Sequence, residues 1–103
     1  MSERLEKIKS MLQRQPQDAF LLYGAALEYK KMGEPAQAIE YLNRVLSADP
    51  NYCYAYHQLG QIHESNGDVE AAKGVYRQGI EAANRSGDAH AKEEISGALS
   101  MIE

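Results

Sequence analysis

Three histidines, one cysteine and a scatter of carboxylates are the side chains of this 103-residue chain that could carry covalent or metal chemistry, so their spacing decides which reactions are open to it. His57, His63 and His90 do not fall at the i, i+4 interval that brings two imidazoles onto one helical turn in helical zinc sites. His90 and Glu94 are one turn apart and could share a hydrogen bond or a weak metal, but a solvated helix face accounts for them more simply. Cys53 stands near a helix start, where the dipole can lower a thiol pKa, yet no His-plus-carboxylate arrangement can be assigned around it. It reads as a buried or half-buried small residue. Gly24, Gly60, Gly74, Gly79 and Gly97 are dispersed within helical runs, so no phosphate-cradling loop forms. The residues that could react therefore call for no catalytic site, no cofactor and no metal.

The elements that hold them are bounded by composition. At 11.5 kDa there is room for one domain, and 44% hydrophobic with 25% charged residues is the make-up of a folding chain. Eleven Lys and Arg against fifteen Asp and Glu leave a net charge of -4, which repels phosphate backbones and anionic headgroups. Neither nucleic acid nor membrane is expected as a partner. Met1 to Gln15 lacks the apolar stretch of a signal peptide, and nowhere do eighteen apolar residues run together. The unpaired Cys53 fits a reducing compartment, so a cytoplasmic location is expected. With no linker at either end, the chain reads as a small protein in its own right or as a domain of a longer one.

A shift of 34 residues aligns Pro16 with Pro50, Gly33 with Gly67, Ala38 with Ala72 and Ala48 with Ala82. Similar chemistry recurs in the same register: Phe20 with Tyr54, Leu22 with Tyr56, Leu42 with Tyr76 and Leu46 with Ile80. Within each repeat the apolar residues follow helical spacing, as in Leu22, Ala25, Ala26 and Tyr29, then Ile39, Leu42, Val45 and Leu46. Gly33-Glu34-Pro35 closes one helix and opens the next, Gly67-Asp68 does the same with an acidic N-cap, and Ala48-Asp49-Pro50 breaks the second helix. Each repeat is thus helix, tight turn, helix. The stripe Leu5, Ile8, Met11 and Leu12 marks half a repeat before them, and Gly87-Asp88 followed by Ile95, Ala98, Leu99 and Ile102 marks a last helix. Six helices are expected, near residues 2–14, 18–32, 35–48, 51–66, 69–84 and 88–102.

These residues resemble the tetratricopeptide repeat signature. The signature positions hold Leu22, Ala25, Ala26, Tyr29, Ala38, Leu42, Val45 and Pro50 in one repeat, and Tyr56, Leu59, Gly60, His63, Ala72, Tyr76, Gly79 and Asn84 in the next. Ala26 stands where the family prefers Gly, His63 where it prefers Tyr, and Asn84 where it prefers Pro. The resemblance implies an all-α fold of antiparallel helix–turn–helix repeats, stacked as a short right-handed α-solenoid of about six helices. One domain, 1–103, would comprise a half-repeat helix (1–16), two repeats (19–52 and 53–86) and a capping helix (87–103). The architecture is a scaffold and does not by itself name a function.

In that family the first helices of successive repeats line a concave groove that holds a peptide. Carried over by position, the groove would present Phe20, Tyr23, Leu27 and Lys30, then Tyr54, His57, Gln58, Gln61 and Glu64. None of these carries the packing signature, so their aromatic rings are candidate anchors; alternatively Phe20 and Tyr54 cover helix ends or touch a neighbouring helix. One subset of the family grips acidic chaperone tails with Lys and Asn. Here Tyr23, Leu27 and Gln58 stand in those places, which disfavours that ligand. The expectation is a non-catalytic scaffold or adaptor for a protein or peptide segment of apolar or aromatic character. The alternative is a structural protein that forms dimers or short arrays through its terminal helices.

Overall fold

The computed structural model describes residues 2–103, so the parts of the expectations that involve Met1 lie outside it. Among the described residues there are six α-helices and no strand: α1 (Glu3–Arg14), α2 (Ala19–Lys31), α3 (Pro35–Ala48), α4 (Cys53–Ser65), α5 (Val69–Ser86) and α6 (Ala89–Ser100). Their contacts divide the chain into two compact units, Met1–Asp49 with α1 to α3 and Pro50–Glu103 with α4 to α6. No helix among the described residues is long and apolar enough to cross a membrane.

The turns form as their glycines dictate. Gly33 and Gly67 adopt φ of 74° and 80°, a left-handed backbone that costs a side-chain-bearing residue energy. That geometry sends the N–H of Glu34 back to the carbonyl of Tyr29 at 2.9 Å and the N–H of Asp68 to that of His63 at 2.8 Å. The next helix then starts at once. Asp68 caps α5 by accepting from the Ala71 N–H, Asp18 caps α2 through Leu21, and Asp88 caps α6 through Ala91. Pro35 opens α3 without a side-chain cap. Three boundaries depart from expectation by two residues: α4 starts at Cys53 and not at 51, α6 stops at Ser100 so that Ile102 lies beyond it, and α5 runs past 84. With Asn84 in place of a proline, its backbone N–H continues the ladder, and the helix runs to Ser86 before Gly87 ends it.

Within the first unit α2 packs on α1 and α3. Leu5, Ile8 and Leu12 of α1 are buried with Leu22, Ala25, Ala26 and Tyr29 of α2 and Ala38, Leu42 and Val45 of α3. A line of cation–ring and ring–ring contacts also joins the three helices: Lys9 lies 5.6 Å from the Tyr29 ring, Tyr29 lies 5.2 Å from Tyr41 at a tilt of 38°, and Arg44 lies 4.7 Å from the Tyr41 ring. The hydrogen bond to Tyr29, then its charge, raises the Lys9 pKa. Glu28 is buried, and it accepts from the Ser2 hydroxyl at 2.8 Å with Arg4 and Lys31 each at 3.8 Å.

In the second unit α5 packs on both α4 and α6. A β-carbon at Gly60 would overlap the Tyr76 ring, and one at Gly79 would come within 2.8 Å of the Tyr56 β-carbon. Those two glycines are the places where α4 and α5 close on one another. Tyr56 and Tyr76 are both buried, and each hydroxyl has an acceptor: the Pro50 carbonyl at 2.8 Å for Tyr56, and the Glu64 carboxylate for Tyr76.

Candidate functional site

The α2 side chains expected to face a partner separate into two groups. Phe20 is 74% exposed, and with Leu21, Tyr23, Gly24 and Leu27 it forms one wall of a cleft of about 340 Å³. The other wall is α1, through Arg4, Lys7, Ile8 and Met11. The helices close below the cleft at Gly24, where a β-carbon would lie 3.2 Å from the Ile8 δ-carbon. Lys30 is half-buried outside the cleft, and burial lowers its pKa.

The α4 residues are more engaged with their own unit. Tyr54 is half-buried, and its pKa is raised by burial first and then by the carboxylates of Glu94 and Asp88. His57 is half-buried with its ring 6.1 Å from that of Tyr76, and its Nε2 lies 3.5 Å from the Gln61 amide nitrogen. Glu64 accepts the Tyr76 hydroxyl, and burial followed by this carboxylate pushes the Tyr76 pKa far above the ordinary tyrosine range. Gln58 is half-buried. Of the nine expected residues, Phe20, Tyr23 and Leu27 come together around one cleft, whereas His57 and Glu64 lean on Tyr76 of α5.

Arg4, Lys7, Met11 and Gly24 of the cleft are not among the residues that the sequence marks as facing a partner. A signal is nonetheless present. Positions 4, 8 and 11 recur at helical spacing and position 7 is one turn from 11, so two cations share the face of Ile8 and Met11.

The candidates for chemistry are settled into ordinary contacts. His90 Nε2 and Glu94 Oε1 are 3.5 Å apart on an exposed face. Cys53 is buried with its Sγ 3.4 Å from the Asn51 carbonyl and 3.8 Å from the Ser86 hydroxyl. No group of three or more His, Cys, Asp or Glu residues could hold a metal ion among the described residues.

Residues 29–94 match the model of the tetratricopeptide repeat. A TPR repeat-containing protein of Pseudomonas aeruginosa is 29% identical over 92 residues, which span 89% of this chain and 88% of that one. Among solved structures, the solution structure of a tetratricopeptide repeat domain protein from Salinibacter ruber superposes with a TM-score of 0.80 at 30% identity, covering 85% of this chain and 89% of that one. A protein of Bordetella parapertussis shares the fold with a TM-score of 0.84 at 24% identity, covering 99% of this chain and 89% of that one. The chain belongs to the tetratricopeptide repeat family, whose repeats are generally protein–protein interaction modules and typically non-catalytic.

Proposed function

We propose that this chain is a non-catalytic adaptor that binds a segment of a partner protein on its repeat helices. The observation that carries this reading is Phe20, a large aromatic held 74% exposed on a rigid helix above a cleft. Leaving such a ring in water forfeits the burial that folding could have given it, whereas covering it with a partner recovers that energy. Tyr23 and Leu27 continue the face. On α4, His57, Gln58 and Gln61 would supply polar contacts of a face of their own. The function is positioning, and it needs no cofactor. A buried, unpaired Cys53 supports a reducing compartment, and we place the protein in the cytoplasm.

The terminal helices offer less for self-association than their sequence suggests. Of the residues expected to pair with a second copy, Leu5, Ile8, Leu12, Ile95 and Leu99 are buried and Ile102 is half-buried, which favours the adaptor reading. Met101, at 85% exposed, is the large apolar side chain left at that end.

The test compares partners captured by the wild-type chain with those captured by a Phe20→Ala/Tyr23→Ala/His57→Ala variant of equal helicity by circular dichroism. A protein retained by the first and lost by the second is the expected result. Identical catches, or copies of the bait alone, would overturn the proposal.

A further inference from the structure

The cleft between α1 and α2 has a charge as well as a shape. Its lining includes two cations, Arg4 and Lys7, and no carboxylate. In a chain of net charge -4 this is a local reversal of sign. Arg4 is 70% exposed at its side chain and lies 3.8 Å from Glu28, so part of its charge is answered from below. Lys7 is exposed and in no ion pair among the described residues. Between the cations and Phe20 the surface is apolar, and Met11, 48% exposed, supplies a side chain that adapts to whatever lies on it. At about 340 Å³ the cleft is at the small end of ligand sites, suited to one bulky side chain and its neighbours in a peptide.

We infer that this cleft selects a peptide of another protein in which a bulky apolar side chain stands beside one or two carboxylates: the side chain seats against Phe20, Leu27 and Met11, and the carboxylates meet Lys7 and Arg4. The inference rests on the reading of the α2 face as a binding surface and adds the chemistry of the occupant. The charge sign excludes basic segments, for which the cleft offers no carboxylate. Two cations on an acidic chain are also a poor match for an anionic bilayer, where attraction accrues over clusters of four to eight.

The experiment pans immobilised full-length protein against a displayed library of random peptides, then titrates a synthesised winner by fluorescence anisotropy. Enriched sequences should pair Phe, Leu or Trp with adjacent Asp or Glu. Affinity for the winner should fall about tenfold on Phe20→Ala and about fivefold on Lys7→Glu. Both positions are exposed, and circular dichroism verifies that each variant remains folded. Replacing the winner's acid by lysine should weaken binding to the wild type and restore it to the Lys7→Glu variant. Winners without acids, or affinities indifferent to Lys7→Glu, would overturn the inference. So would sedimentation with phosphatidylserine vesicles or a concentration-dependent dimer, if either is lost on Phe20→Ala while no peptide is enriched. Winners sensitive to His57→Ala and insensitive to both cleft variants would overturn this inference and leave the adaptor reading standing. An empty selection would overturn both.

Discussion

Gly60 and Tyr76 divide between them a volume that the preceding repeat divides differently. One 34-residue step earlier stand Ala26 and Leu42, each 1% exposed, so a methyl group with an isobutyl chain occupies the first core where a bare α-carbon with a phenol ring occupies the second. The exchange carries a polar consequence. The phenol needs an acceptor once buried, and it finds Glu64; in the first repeat the corresponding positions hold Lys30 and Leu42, and the leucine needs no acceptor. Gly60→Ala should cost about 1–3 kcal/mol from overpacking against the ring. Adding Tyr76→Leu should recover part of that loss in urea denaturation, and a loss no smaller in the double variant would refute the shared-volume account. Tyr76→Phe removes the donor to Glu64, with an expected cost of about 1 kcal/mol. It also changes the alkaline limb of stability. Because the folded Tyr76 pKa is raised above the ordinary value of 10.0, the native state keeps a proton that the unfolded chain releases. This contribution is fully present below pH 10.0 and is lost as pH rises beyond it. The stability difference between wild type and Tyr76→Phe should therefore shrink as pH climbs past that point, as equilibrium unfolding at stepped pH would reveal.

At the scale of the helix, glycine has opposite meanings at neighbouring places. Gly87 closes α5 at φ of 71°, where any β-carbon is strained, so Gly87→Ala should destabilise by about 1 kcal/mol. Gly74 lies exposed inside the same helix, and a β-carbon there would meet nothing within 4 Å. Gly74→Ala should stabilise by about 0.5–1 kcal/mol, because alanine loses less backbone freedom on becoming helical. Thermal melts of the two variants should move in opposite directions. The extra length of α5 belongs to this scale too. Asn84→Pro should remove a backbone donor from the helix interior and destabilise the second unit by about 3 kcal/mol, and an unchanged melt would show that the last turn of α5 contributes little.

Over the whole molecule, the acidic balance sets what approaches. A chain of net charge -4 should not retard duplex DNA in a gel at physiological salt, and a retarded band would contradict the electrostatic argument. The family, the six helices and their turns were legible in the linear order, because helical periodicity, left-handed glycines and aspartate caps act over a few residues and the 34-residue register repeats them. The candidate site was legible in part. Phe20, Tyr23 and Leu27 follow one another at steps of three and four residues on one helix, so their shared face follows from spacing alone. That Arg4 and Lys7 face them and that Glu64 receives the Tyr76 hydroxyl are matters of packing between helices. Local rules act within a turn, whereas the partner of a side chain across a helix pair depends on which volumes close against each other. Gly60, Gly79 and Gly24 make those closures, and only the tertiary structure shows what each admits.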